Sequence, residues 1–265
     1  MVNKKENIIT IIILIFLVLG LGSFIVYDKI INKPEEKNEK LTIINDVEIN
    51  LNALYNVRDK MQVLNYTFDN PQSPYFGTLN NIKKLEASKM DMGLALYLSL
   101  LPEMKVNTTL AYVPEEIVKD NFKKLFNDQL SYNVSIIKAN NFYSFDYNQT
   151  TGLYAYYTNL SFDRNLAKYI SLNEKTEIKS DEIIVTQKKV FIEYTNISPK
   201  FLANFINLYY DNSKAKNIGK LTLKNGIISE KELLSKFGSK MKTYQYTFKE
   251  KNETEYYLQK IETIK

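Results

Sequence analysis

The chain of 265 residues contains neither cysteine nor histidine, which excludes disulfides, thiolate nucleophiles and histidine-based catalytic triads. Its formal charge of +5 comes almost entirely from lysine, since arginine occurs only at Arg58 and Arg164. A mild lysine excess interspersed with glutamate is typical of a solvated surface, so we predict no nucleic-acid partner. The length suits one large domain or two small ones, and 45% hydrophobic residues suffice for a buried core.

A long uncharged segment near the N-terminus predicts a membrane anchor. It reads NIITIIILIFLVLGLGSFIVY, and its apolar part is close to the ~20 residues with which a helix crosses a bilayer core. We predict a transmembrane helix at 8–27, in contact with the lipid bilayer, after a cytoplasmic tail at 1–7. Lys4 and Lys5 place this tail inside and the C-terminal domain outside the cell. A cleaved signal peptide is the alternative, but no A-x-A-like site follows the apolar run.

The chain beyond the anchor divides by composition and hydrophobic period. The segment 28–45 is charged and poor in apolar residues, which predicts an extracytoplasmic tether. Apolar residues then recur at helical spacing over 46–128 and alternate over 129–265. We therefore expect a helical half and an antiparallel sheet half, which together can form one domain.

Three helices are predicted in the helical half. Apolar spacing near 3.6 residues predicts the first over Val47–Leu64 and the second over Leu85–Leu101. The two prolines and the glycine of Asn70–Thr78 predict a loop between them. The third helix begins at Pro114, a favourable first helical position.

The sheet half begins with strands of alternating apolar residues. A hairpin is predicted over Phe142–Thr158, with its loop at Asn148–Gly152. The segment Ile183–Tyr194 predicts one long strand or a tight hairpin. Phe201–Asp211 is ambiguous between helix and strand, and we favour a strand because Asn204 and Asn207 interrupt any apolar helix face.

The C-terminal part predicts a short helix and a closing hairpin. Ser229 and Glu232 have the spacing of a capping box. Two strands follow, over Thr243–Lys249 and Glu255–Ile264, with a bulge near Gln259–Lys260 where the period of two breaks. The predicted fold class is α+β: a transmembrane helix and about three helices, then a curved, mostly antiparallel β-meander with a short helix before the final hairpin.

Three stretches carry a resemblance to a known group of proteins. These are KTYQYTFK…ETEYYLQKIETIK at the C-terminus, YVPEEIVKDNFKKLF at Tyr112–Phe126 and FYSFDYNQTTGLYAYY. They resemble segments of uncharacterised membrane-anchored extracytoplasmic proteins of low-GC Gram-positive bacteria, over roughly Leu51–Lys265. Asn127 stands where those proteins usually have glycine. The resemblance implies topology and surface location but no chemistry. At fold level the element order is similar to NTF2-like or cystatin-like domains.

No catalytic, cofactor or metal site is predicted. Adjacent acids such as Glu115 and Glu116 point about 100° apart on a helix, which does not suit paired acid–base work. The S-x-x-K strings at Ser135 and Ser239 lack the companion motifs of a serine acyl-enzyme. The glycines are too few and isolated for a phosphate loop.

Aromatic residues are the candidate ligand-binding residues. In the final hairpin Tyr244, Tyr246 and Phe248 share one face of a strand, and Tyr154 and Tyr156 show the same spacing. These side chains either cover the helices or line a cleft between sheet and helices, where tyrosine suits peptide or glycan recognition.

Three functional hypotheses are compatible with this sequence. The first is a non-catalytic binding module, anchored in the cell membrane, whose ligand is a protein, peptide or envelope polymer. The second is a structural subunit of a cell-envelope complex, similar to NTF2-like bitopic components. The third is an enzyme that uses a buried Asp or Glu as a base.

Overall fold

The computed structural model describes residues 50–104, 110–158, 167–197, 203–224 and 226–264, which belong to one compact unit. The predicted cytoplasmic tail (1–7), anchor (8–27) and tether (28–45) lie outside these ranges. No helix within the ranges has both the length and the apolar character needed to span a bilayer.

Four α-helices form in the described residues, and a side chain caps the start of three of them. Asn50, Asp91 and Ser229 each accept a hydrogen bond from a backbone N–H two or three residues further on, at 3.0, 3.0 and 3.3 Å. The helices are α1 (Leu51–Asp69), α2 (Met92–Leu100), α3 (Glu115–Phe126) and α4 (Glu230–Phe237). The predicted second helix began too early, because Lys84–Glu86 form a strand and Asp91 caps α2.

Within the described ranges, ten strands form two antiparallel sheets. The strands are β1 (Lys84–Glu86), β2 (Leu110–Pro114), β3 (Tyr143–Asn148), β4 (Leu153–Thr158), β5 (Ala167–Ile178), β6 (Glu182–Ile197), β7 (Ala203–Tyr209), β8 (Asn217–Thr222), β9 (Lys242–Asn252) and β10 (Glu255–Thr263). The larger sheet has the order β1-β10-β9-β6-β7-β8, with β5 also paired to β6, and the smaller has the order β2-β4-β3. The α+β class and the antiparallel pairing are confirmed. A single meander is not what forms, because the hairpin β3–β4 pairs with β2 in a separate sheet.

Strand β6 is the centre of the larger sheet and pairs with three other strands. β5 follows one edge of β6 from Ile183 to Glu193. The opposite edge is shared, with β9 paired to 182–189 and β7 paired to 191–197. The sheet therefore forks at the middle of β6.

Two hydrophobic cores lie on opposite faces of β6. Ile183 and Val185 belong to a large core that they share with α1, α2, α3 and the inner side of the smaller sheet. Val190 and Ile192 point to the other face, into a second core beneath α4. Side chains alternate along a strand, so the change from odd to even positions moves the apolar face from one side to the other.

The polar run between these apolar pairs marks this change of face. Lys189 lies on the large-core side, where its Nζ is 2.7 Å from Asp69 Oδ1, and Lys188 lies on the other side, 2.7 Å from Glu174 Oε1. The sequence allowed a tight hairpin in this segment, and the structure shows one continuous strand.

Candidate functional site

The five aromatic residues predicted as ligand-binding lie in the interior. Their exposed fractions are 2% for Tyr244, 0% for Tyr246, 0% for Phe248, 1% for Tyr154 and 0% for Tyr156. All five belong to the large core, where the sheet faces the helices. The structure therefore gives them the packing role that the sequence also allowed, and none forms an exposed aromatic surface.

Other aromatic residues reach the surface of the smaller sheet. Tyr112 is 59% exposed and Tyr157 is 42% exposed, whereas their strand neighbours Tyr154 and Tyr156 point inward. Leu110 pairs directly with Tyr157 across β2 and β4, so these side chains share the outer face. Ser144 and Asp146 of β3 lie on the same face, so the exposed aromatic residues are mixed with polar side chains.

A cleft of about 380 Å³ opens between α1, α2 and α3. Apolar side chains form part of its wall, including Val63 from α1, Leu98 from α2 and Leu125 from α3. Polar groups complete the lining: Asn56, Asp59, Lys60, Gln62, Asn121 and Lys124. A concave site that combines an apolar wall with convergent polar groups is a typical form of a ligand site.

Lys60 is the exceptional residue of this cleft because it is a buried cation. It is only 9% exposed, and its Nζ donates a hydrogen bond to Asn56 Oδ1 at 2.6 Å. Among the described residues, no carboxylate lies within ion-pair distance of it. Burial lowers the pKa of Lys60 from 10.5 to about 8, against the opposing influence of Glu255 and Asp59.

The nearby acids are engaged elsewhere. Glu255 accepts hydrogen bonds from Lys251 Nζ at 2.8 Å and from Asn252 Nδ2 at 3.0 Å. Asp59 lies at the solvent-exposed rim of the cleft, 3.8 Å from Arg58 Nε, with 69% of its side chain in solvent. Water screens the charge of Asp59, and Lys251 already pairs with Glu255, so neither acid neutralises Lys60.

Two asparagines fix the polar part of the cleft. Asn56 Oδ1 also accepts the backbone N–H of Tyr256 at 3.0 Å, which ties α1 to the final hairpin. Asn121 Nδ2 donates to the Ser99 carbonyl at 3.2 Å and to Glu103 Oε1 at 3.1 Å, which ties α3 to the end of α2. The cleft is therefore held by hydrogen bonds between the elements that line it.

A second polar centre is buried where α1 meets the sheet. Asp69 contacts Lys189 through one carboxylate oxygen, and Ser171 Oγ donates to the other at 2.5 Å. Burial lowers the pKa of Lys189, although Asp69 acts in the opposite direction. Both charges are matched here, so this centre is a structural ion pair rather than an open site. No group of three or more acidic side chains in the described ranges is placed to hold a metal ion.

Sequence reasoning missed Lys60, although a signal was present. Lys60 lies in the series Ala53, Val57, Lys60, Leu64, which has the alternating spacing of four and three residues of one helix face. The other three members are buried apolar residues, so the same spacing places the lysine inward.

Comparisons with known proteins do not identify a family for this chain. No family model matches the chain, and no curated protein or solved structure matches it either. The resemblance to membrane-anchored Gram-positive proteins stays a prediction, as does the NTF2-like analogy.

Proposed function

We propose that this chain is a membrane-anchored, extracytoplasmic binding module that takes a ligand into the cleft between α1, α2 and α3. The buried, carboxylate-free Lys60 at this cleft is the observation that carries the proposal. A desolvated cation destabilises the fold unless it has a partner, and stability given up at one position is typical of a functional site. The anchor and the orientation come from the apolar segment at 8–27 and its flanking lysines.

A binding function is favoured over catalysis. The chain has no histidine or cysteine to act as base or nucleophile near neutral pH. The enzyme hypothesis required a buried carboxylate base, and the least exposed carboxylate among the described ion pairs is Asp69, at 12%. Lys189 and Ser171 occupy both of its oxygens, which leaves it poorly suited to take a proton from a substrate.

Blocking the cleft tests the proposed site. The full-length chain in lipid nanodiscs would be screened against a library of small soluble fragments by ligand-detected NMR. In Val63→Trp the larger ring fills the cleft, so we expect fragments that bind the wild type to lose their signal. The control is Tyr112→Ala, which removes an exposed ring from the smaller sheet and leaves the cleft intact.

The result that would contradict this proposal is equal fragment binding by Val63→Trp and the wild type. A defined oligomer of the full-length chain whose cleft binds no fragment would instead favour the structural-subunit hypothesis.

The topology has an independent test. Protease added to intact cells should digest the C-terminal domain and leave only the anchor region protected. Survival of the full-length chain, with cleavage only after the cells are opened, would refute the proposed orientation.

A further inference from the structure

We propose that the ligand of this cleft carries an anionic group, a carboxylate or a phosphate on an apolar body, and that Lys60 binds it. This inference rests on the proposed function and names the ligand class for the same site. The apolar wall of Val63, Leu98 and Leu125 would contact the body of the ligand.

The position of the charge supports an anion. Lys60 is 9% exposed and makes a hydrogen bond to one neutral oxygen, Asn56 Oδ1, although an ammonium group has three donors. Asn56 Oδ1 already accepts a second hydrogen bond, from Tyr256. An anion in the cleft would supply the charged acceptor that the described residues do not provide.

A second lysine lies at the rim of the cleft. Lys124 lines it from α3, is exposed, and has no carboxylate within ion-pair distance in the described part of the chain. The two lysines repel each other, and Lys124 contributes to the lowered pKa of Lys60. A bound anion would relieve this repulsion, so both lysines favour the same ligand charge.

The other charged groups that face Lys60 or the cleft do not reverse this preference. Asp59 from α1 and Glu255 from the final hairpin attract the ammonium, and Lys251 from the same hairpin repels it. Glu103 accepts a hydrogen bond from Asn121 at the end of α2. Lys251 pairs with Glu255, and Asp59 is exposed to solvent, so Lys60 and Lys124 are the two cleft-lining cations that have no carboxylate partner among the described residues.

Three probes with the same phenyl ring separate charge from shape, and two of them, benzoate and benzamide, are isosteric. Isothermal titration calorimetry on the full-length chain in nanodiscs at pH 7 would compare benzoate, phenyl phosphate and the neutral benzamide. A charge-assisted hydrogen bond in a desolvated site favours the anion by about 10- to 100-fold, so we expect this preference for benzoate or phenyl phosphate over benzamide. The stronger of the two anions identifies the headgroup as carboxylate or phosphate.

Two lysine variants locate the preference. In Lys60→Gln the affinities for the anion and for benzamide should come within about 3-fold of each other. The affinity for benzamide itself should not change, because the apolar wall is unchanged. Lys123→Gln is the matched control, and the preference should survive because Lys123 is exposed on α3 and does not line the cleft. A Lys60→Gln protein that still prefers the anion 10-fold would overturn the role of Lys60.

Proton uptake gives a readout that does not depend on a variant. An anion raises the pKa of the lysine that binds it, so benzoate binding at pH 8.5 should take up protons. The measured binding enthalpy should then depend on the ionisation enthalpy of the buffer at pH 8.5, and much less at pH 6.5. Equal enthalpies in all buffers at pH 8.5 would contradict the assignment to Lys60.

The failures of the two proposals are distinguishable. Equal affinity for benzoate, phenyl phosphate and benzamide, lost in Val63→Trp, would overturn the anion assignment and leave the cleft as a binding site. Failure of all three probes to bind, together with a fragment screen that Val63→Trp does not change, would overturn the site itself.

Discussion

Asp69 Oδ1 lies 2.7 Å from Lys189 Nζ, with the two side chains only 12% and 3% exposed. Asp69 is the last residue of α1, where the partial negative charge of the helix end disfavours a carboxylate. The ammonium group of Lys189 offsets both the carboxylate charge of Asp69 and the partial negative charge of the helix end. The pair therefore fixes the end of α1 against the middle of β6, where the apolar residues of this strand change face.

Removing the negative charge of this pair should be strongly destabilising. In Asp69→Asn the shape is kept but Lys189 becomes a buried cation without a counter-charge, which typically reduces the free energy of unfolding by about 3–5 kcal/mol. Urea denaturation of the full-length chain measures the change. Asp59→Asn on the exposed side of the same helix should stay within about 0.5 kcal/mol of the wild type. If the double variant Asp69→Asn/Lys189→Met regains stability, the unpaired charge of Lys189 is the cause of the loss. A loss below about 1 kcal/mol in Asp69→Asn would contradict the prediction.

Lys60→Met should stabilise the protein at neutral pH. The pKa of Lys60 is about 8 in the folded chain and 10.5 ordinarily, so between these values the unfolded chain binds more protons. The free energy of unfolding therefore rises with pH between about 8 and 10.5. Below pH 8 the buried charge of Lys60 lowers the free energy of unfolding by up to about 3 kcal/mol. We expect Lys60→Met to gain about 1–3 kcal/mol at pH 7 and to lose this rise with pH.

Urea unfolding at pH 7 and pH 9.5 checks this prediction, with the exposed Lys123→Met on α3 as the control. A variant that is less stable than the wild type by the same amount at both pH values would show that Lys60 stabilises the fold through its packing alone.

Asn127→Gly should also stabilise the protein. Asn127 ends α3 with φ 51° and ψ −137°, a conformation that suits glycine far better than a residue with a Cβ. We expect a gain of about 1 kcal/mol in thermal or urea unfolding. The neighbouring Asp128→Gly has no positive φ to relieve and should be neutral or destabilising.

Two tyrosines of the large core should respond in opposite ways to loss of their hydroxyl groups. Tyr246 OH is buried without a hydrogen-bond partner among the described residues, so Tyr246→Phe should be neutral or up to about 1 kcal/mol more stable. Tyr154 OH shares a hydrogen bond with Tyr132 OH at 2.7 Å, so Tyr154→Phe should reduce the free energy of unfolding by about 1 kcal/mol. Both variants keep the ring, and one urea series compares them. An equal loss of stability in the two variants would contradict this prediction.

Strong alternation and capping residues allowed much of the fold to be predicted from sequence. The hairpin of β3 and β4, the strand β7 and the closing hairpin follow the predicted segments, and the register between β9 and β10 shifts between Leu258 and Lys260, where a bulge was expected. Ser229 caps α4 through the Glu232 N–H, as its spacing indicated. These features depend on neighbouring residues alone, which is why local patterns find them.

The missed strands lack such a local signal. Leu172 and Ile178 of β5 are an even number of residues apart, but a register shift between Asn173 and Lys175 separates them, so they pack into different cores. β1 has only three residues. The cleft was missed for another reason: its lining comes from three helices, and no spacing within one of them shows how the helices meet.

The fork at β6 makes one strand the shared wall of two hydrophobic cores. An insertion or deletion of one residue near Gln187 would turn every later side chain to the opposite face, so Val190 and Ile192 would leave the core beneath α4. The same slip would break the alignment of Lys189 with Asp69. Both cores therefore depend on the length of β6, and the two cores are expected to unfold as a single cooperative unit.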